Sequence, residues 1–143
     1  MLARNRMTKD PLTVDPGTSM FIAWKLMQDR RIRHLPVVDA GRLVGIVTDR
    51  DLRLALPSPA TSLEAHEVNY LLDKMTVSEV MTKAVIATTP SALLEEAAAT
   101  LLRHRIGALP VIEGDRLVGI LTRSDVLASV AAPPAAGALK TAA

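Results

Sequence analysis

Two short turns hold the residue types that could do chemistry. Gly45-Ile46-Val47-Thr48-Asp49-Arg50-Asp51 and Gly119-Ile120-Leu121-Thr122-Arg123-Ser124-Asp125 each read as a strand end, a hydroxyl, and a carboxylate three residues later. If the Thr opens a helix, its hydroxyl caps that helix. The unpaired backbone N–H groups and the positive end of the helix dipole then favour an anion such as phosphate. The Asp falls on the same side and can accept two hydroxyl hydrogen bonds, as a ribose would offer. The Gly lets another backbone or a ligand approach closely. A lone Thr-x-x-Asp is most simply a capping box with Asp in place of Glu. What raises these two above that reading is that the same motif occurs twice, after the same kind of strand.

The doubling extends well beyond the turns. RIRHLPVV at 31–38 is matched by RIGALPVI at 105–112, and MTK at 7–9 by MTK at 81–83. Every match sits at one offset of 74, without a gap from Met7–Leu52 to Met81–Val126, and about 17 of the 46 aligned positions are identical. Two copies are too few for a solenoid, which needs three or more to bury its faces. They suit a closed pair with a pseudo-two-fold axis and two equivalent clefts.

Each copy predicts the order β-α-β-β-α. A short strand, Leu12–Val14 or Val85–Ala87, leads to Pro16 or Pro90 and a capping residue, Thr18 or Ser91. A helix with apolar positions near 3.6 spacing follows, through SMFIAWKLMQDRR or ALLEEAAATLLRHR. Two β-branched runs separated by Ala40-Gly41 or Gly114-Asp115 read as a hairpin. A last helix starts at Thr48 or Thr122. The expected organisation is repeat 1 over 1–56, a helical linker over 57–80, repeat 2 over 81–130 and a disordered tail over 131–143. In the linker, PSPA at 57–60 reads as a turn, Thr61-Ser62-Leu63-Glu64 as a capping box opening a helix to about Lys74, and Thr76-Val77-Ser78-Glu79 as a second box.

Composition narrows the function classes. The 143 residues fit one compact unit of two half-size subdomains, and a repeat of about 46 residues alone hardly builds a core. The halves are therefore expected to bury apolar faces on each other. Hydrophobic content of 49% is globular. Cysteine is absent, which removes a disulfide framework, a Cys zinc site and a thiol nucleophile, and fits a cytoplasmic location. No signal-peptide run and no 18-residue apolar stretch occurs, so no membrane partner is expected. Net charge is only +2 with acidic and basic residues interleaved, and the aromatics are only Phe21, Trp24 and Tyr70. Nucleic acid is thus an unfavoured partner, because single-strand binders rely on aromatic platforms. His34, His66 and His104 lack metal-ligand spacing with one another, and no Ser-His-Asp set, phosphate-binding glycine loop or dinucleotide fingerprint is visible. Neither catalysis nor a resident metal is expected.

With MTKDPLTV and MTKAVIAT, RIRHLPVVD and RIGALPVIE, and the two Thr-x-x-Asp turns in hand, the chain resembles a tandem CBS-domain pair, or Bateman module, over residues 7–130. The linker is similar to that of stand-alone bacterial CBS proteins of the acetoin-utilisation type. The resemblance implies an α/β (α+β) fold of two pseudo-symmetric repeats packed through their sheets, and a disc-like homodimer, for which Phe21, Trp24 and Leu102 are candidate contacts. It implies a regulatory module binding AMP, ADP, ATP or S-adenosylmethionine, with Mg accompanying ATP, and an unknown regulated protein as partner. One site would combine Ile120, Thr122 and Asp125 with Ile32, Arg33, His34 and the segment Thr8–Leu12. The other would combine Ile46, Thr48 and Asp51 with Ile106, Gly107, Ala108 and the segment Thr82–Ile86. In that reading the Asp residues hold ribose hydroxyls, the Thr residues hold phosphate, and backbone near His34 and Ala108 reads the adenine.

The copies differ where they should bind. Asp49 stands against Arg123, Arg33 against Gly107 and His34 against Ala108. An Arg adds a charge-assisted phosphate contact that an Asp cannot. Arg33 and Arg50 can compensate for Asp49. A ligand-free dimerisation scaffold is the rival reading to nucleotide sensing.

Overall fold

The computed structural model describes residues 1–56 and 64–131. The expected turn over 57–60, the Thr61 start of the linker helix and the tail from 132 onward lie outside the described residues. Repeat 1 contains helix α1 (Met20–Arg30), the hairpin β2 (His34–Asp39) and β3 (Arg42–Thr48), and helix α2 (Asp49–Ala55). Repeat 2 contains α5 (Leu94–His104), β4 (Ala108–Glu113), β5 (Arg116–Thr122) and α6 (Arg123–Val130). Between them lie α3 (Ala65–Lys74) and α4 (Val77–Val80), and a two-residue strand β1 (Thr8–Lys9) precedes α1. The two hairpins pair in the same register at offset 74, from His34↔Thr48 and Ala108↔Thr122 to Asp39↔Arg42 and Glu113↔Arg116, and both carry a bulge at the same point. They join at their turn ends through Arg42↔Arg116 and through the Leu43 amide, which donates to the Asp115 carbonyl at 2.9 Å.

The expected strand before each Pro shrinks to a single parallel bridge, Val14↔Val37 in one copy and Thr88↔Val111 in the other. The second falls one residue beyond the expected Val85–Ala87. The helix caps also differ from expectation. The Thr18 hydroxyl accepts from the Asp15 amide (3.1 Å) and so closes the preceding turn, and Ser19 caps α1 by accepting from the Ile22 amide at 3.2 Å. At α5 the N-cap position is Leu93, which has no side-chain acceptor, and Ser91 lies earlier and exposed. There the Leu94 amide donates to the Met1 carbonyl at 2.9 Å.

That last bond belongs to a pattern not visible in the aligned motifs. Residues 1–8 and 75–82 form two equivalent arms, and each packs on the opposite repeat. Met20, in repeat 1, donates to the Met75 carbonyl (2.8 Å) as Leu94 does to Met1. Val77 donates to Thr18 and Ala3 to Ala92; Ser78 donates to Pro16 and Arg4 to Pro90. All three pairings repeat at offset 74, so the internal correspondence reaches back to Met1 and Met75. Thr8 then bridges to Ile120 and Thr82 to Ile46, across the repeats.

Two buried clusters result, rather than one continuous core. Leu35, Val37, Val47, Met20, Ala23 and Met27 form the first with Val77 from the opposite arm. Leu109, Val111, Leu121, Leu94, Ala97 and Leu101 form the second with Ala3 from the other arm. A half-size repeat is too small to close its own core. Exchanging arms lets each half borrow a fully buried side chain and a set of backbone hydrogen bonds from its twin. Phe21 and Trp24 are half-buried against the first cluster, with ring centroids 6.1 Å apart, whereas Leu102 is 80% exposed.

Candidate functional site

Each strand end is fixed by a full capping box. At α2 the Thr48 amide donates to Asp51 Oδ2 (2.9 Å) and the Asp51 amide donates to Thr48 Oγ1 (3.1 Å). At α6 the Thr122 amide donates to Asp125 Oδ2 (2.8 Å), the Asp125 amide donates to Thr122 Oγ1 (3.3 Å), and the Thr122 hydroxyl also reaches Asp125 Oδ2 (3.0 Å). The capping interpretation of Thr-x-x-Asp is therefore realised in both copies. It uses only one oxygen of each carboxylate. Oδ1 of Asp51 and of Asp125 makes no protein hydrogen bond among the described residues, so each Asp keeps acceptor capacity for a ligand hydroxyl.

Gly45 and Gly119 are explained by the arms. A Cβ on Gly119 would lie 2.6 Å from Met7 Sδ and 3.0 Å from the Thr8 carbonyl, and one on Gly45 would overlap Met81 and lie 3.1 Å from the Thr82 carbonyl. Of the two partners left open by the sequence, a backbone or a ligand, the neighbour is the opposite repeat's arm. The glycines thus seat Thr8 and Thr82 against β5 and β3, at the edge of the site.

All sixteen expected residues line one cleft of about 1260 Å³: Thr8, Ile32, Arg33, His34, Ile46, Thr48, Arg50 and Asp51, with Thr82, Ile106, Gly107, Ala108, Ile120, Thr122, Arg123 and Asp125. Two separate clefts were expected; the structure joins them into a single space spanning both repeats. Backbone bonds hold its walls. The Asp49 amide donates to the Arg33 carbonyl and the Arg123 amide to the Gly107 carbonyl, both at 3.1 Å. These tie the loop before each hairpin to the helix start after it, so the half-sites have the same frame.

The cleft's charge is lopsided. Besides Arg33, Arg50 and Arg123 it is lined by Arg30, Arg31, Arg53 and Arg105, seven arginines against Asp49, Asp51 and Asp125. Five of the seven belong to repeat 1, the repeat that also carries Asp49. The sequence reading missed Arg31 and Arg105. Both close their helices in the left-handed region, with φ of 54° and 52°, where glycine is favoured. Arg123 is partly committed, since its Nε donates to the Ile106 carbonyl at 3.1 Å. Its other guanidinium donors remain for an anion.

His34 lines this space, with its ring beside Gly107. Loss of hydration lowers its pKa below 6.5; Arg123 and Arg33 push the same way, against Asp49 and Asp51. His66 stands apart from the cleft: with Glu64 and Glu67 it brings ligand-type atoms within 4.8 Å of one another on an exposed surface, and His66 Nδ1 lies 3.5 Å from Glu64. No helix among the described residues is long and apolar enough to cross a membrane.

This architecture has counterparts among solved structures. An acetoin utilization protein (AcuB) from Vibrio cholerae superposes with a TM-score of 0.75 at 36% identity, over 92% of this chain and 90% of that one. CBSX2 in complex with AMP gives 0.76 at 30% identity, over 91% and 96% of the two chains. The CBS domain pair of MJ0100, in complex with 5′-methylthioadenosine and S-adenosyl-L-methionine, gives 0.76 at 28% identity, over 92% and 96%. The CBS domain profile itself matches residues 3–58 and 77–132, most of the described chain. The chain belongs to the CBS domain family and carries two CBS domains in tandem.

Proposed function

We propose that this chain is a regulatory module without catalysis of its own, which binds an adenosine nucleotide, AMP, ADP or ATP, in the cleft between its repeats and passes the bound state to another protein. The observation that carries this reading is the pair of Thr-x-x-Asp turns opening onto one arginine-rich cleft. Asp51 and Asp125 accept ribose hydroxyls, Thr48 and Thr122 with the adjoining helix starts face phosphate, and Ile32, Ile46, Ile106 and Ile120 supply apolar surface for the adenine. The excess of arginine favours a phosphorylated ligand over S-adenosylmethionine, whose sulfonium is positive. A ligand touching both repeats shifts their relative arrangement only through its differential affinity for the two arrangements. A second copy of the chain docking on the helical face around Leu102 gives the homodimer through which the change is read.

Thermal unfolding with AMP, ADP, ATP with and without Mg, and S-adenosylmethionine tests the reading. A nucleotide at one hundred times its Kd should raise Tm by on the order of 5–10 °C. Asp51→Ala and Asp125→Ala should each weaken binding about ten-fold or more by calorimetry, from loss of a hydrogen-bonded carboxylate. A Tm unmoved by every adenosine ligand at millimolar concentration would overturn nucleotide binding and leave the dimerisation scaffold.

A further inference from the structure

The two half-sites are least alike where they touch. His34 opposes Thr48 across its hairpin as Ala108 opposes Thr122. Ala108 is a methyl group, whereas the His34 imidazole reaches into the other repeat. A Cβ on Gly107 would stand 2.9 Å from His34 Nε2 and 3.1 Å from its Cε1. Gly107 is the twin of Arg33, so the repeat 2 loop yields space where the repeat 1 loop supplies a charge. The ring therefore sits at the junction of the half-sites.

Four charged groups face it. Asp49 and Asp51 come from the first turn of α2, Arg33 from the loop before β2, and Arg123 from the start of α6. All four line the same cleft as the ring. The His34 side chain makes no hydrogen bond among the described residues. It is half-buried, and lost hydration together with Arg123 and Arg33 lowers its pKa below 6.5, against the pull of Asp49 and Asp51. The protein's own charges around the ring are two positive and two negative. A phosphate entering the cleft adds negative charge beside a ring now flanked by two charges of each sign, and so favours the imidazolium.

We propose that His34 is a specificity-determining residue that takes up a proton from solvent when a phosphorylated ligand enters the cleft, so that the cleft responds to phosphate and to pH together. The only bond formed is N–H on the ring. The proposal rests on the nucleotide reading of the cleft. It adds that affinity for the phosphorylated ligand rises as pH falls, whereas stability of the free protein moves the other way. In the free protein the folded pKa of His34 lies below the unfolded value of 6.5. The folded chain then binds fewer protons, and the His34 contribution to stability is present above pH 6.5 and is lost as pH falls through the folded pKa.

Calorimetric titration of AMP and of adenosine between pH 6 and 8, in two buffers of different ionisation heat, reads this directly. AMP should bind about five-fold to ten-fold more tightly at pH 6 than at pH 8 with proton uptake, and adenosine should show neither. The AMP phosphate titrates near pH 6 as well, so the decisive quantity is the difference between the wild type and His34→Gln, which keeps a polar side chain over Gly107. His34→Gln should lose the His34 share of proton uptake and bind AMP more weakly at pH 6. His34→Lys should bind AMP tightly with the same shallow profile as His34→Gln. Identical pH profiles and identical buffer dependence in wild type and His34→Gln would overturn the proton linkage while leaving nucleotide binding intact. Failure of AMP to bind the wild type at any pH would overturn both.

Discussion

The two halves share a backbone plan yet are closed differently. Seven buried positions of the first core, including Leu35, Val37 and Val47, have buried twins at offset 74 in the second. The remaining three are Val14, Leu52 and Leu72. Leu72 comes from α3, which packs on α1 and has no counterpart on α5 among the described residues. Leu52 is 5% exposed in the same cluster, whereas its twin Val126 is half-buried; Leu56 packs on the first core, and its twin Val130 is 83% exposed. Apolar burial contributes about 25 cal/mol per Å², so the linker helix reinforces one half selectively. The doubled sequence therefore buries its two halves unequally among the described residues. Among the described residues, what lies between the copies covers the helices of the first half and leaves the α5 face of the second open.

The arms are the feature the halves share most closely, and replacing the glycines that seat them should produce the largest effect. Gly45→Ala and Gly119→Ala each force a methyl against a Met side chain and a neighbouring carbonyl. Overpacking of this kind costs about 1–3 kcal/mol, readable by urea denaturation. Because the arms cross, Gly45→Ala should speed hydrogen exchange at Thr82, whose amide bonds to the Ile46 carbonyl at 2.9 Å. Gly119→Ala should act instead on the arm that begins at Met1. Equal loss of protection in both arms from either variant would break the picture of two separate, crossed seatings.

A smaller effect separates backbone from charge. Arg31 and Arg105 close their helices at nearly identical left-handed φ, so Arg31→Gly and Arg105→Gly should each stabilise by about 1 kcal/mol. Their consequences for the cleft should differ. Removing Arg31 leaves repeat 1 with four lining arginines, but removing Arg105 leaves repeat 2 with Arg123 alone. Titration with AMP should therefore show the greater loss of affinity in Arg105→Gly, in a protein that melts higher than the wild type. A greater loss in Arg31→Gly would place the phosphate nearer repeat 1.

Much of this was legible in the sequence because it depends on local chemistry. The hairpins follow from alternating β-branched residues around Ala40-Gly41 and Gly114-Asp115, and the helix starts from Thr-x-x-Asp. The grouping of all sixteen site residues followed from the doubling together with the family resemblance. The arms escaped notice because their bonds are made by backbone. Only Met1/Met75 and Met7/Met81 are identical within residues 1–7 and 75–81, and a carbonyl that caps a distant helix leaves no side-chain signature. Thr18 and Ser19 are adjacent and equally suited to cap α1; the Asp15 turn takes the first and leaves the helix to the second. The fusion of two expected clefts into one, and the reach of His34 over Gly107, depend on how the copies meet across the axis. Offset matching describes each copy alone and is blind to that distance.

The smallest expected effect on folding bears on the open face. Leu102 is 80% exposed, and its twin in the closed half is Gln28. Leu102→Gln makes the second half copy the first at this position. A side chain this exposed contributes little to the core, so stability should change by no more than about 0.5 kcal/mol. Sedimentation velocity should nevertheless show weaker self-association, because the same leucine would be withdrawn from contact with a second copy. The two readouts must part for the interpretation to stand. A loss of stability in proportion to any loss of association would mean that Leu102 serves its own chain, and an unchanged sedimentation profile would move the dimer contact off the α5 face. The outcome bears on how the proposed nucleotide would be reported: α5 is capped by Arg105, which lines the cleft, so a partner resting on Leu102 would lie about one helical turn from the cleft wall.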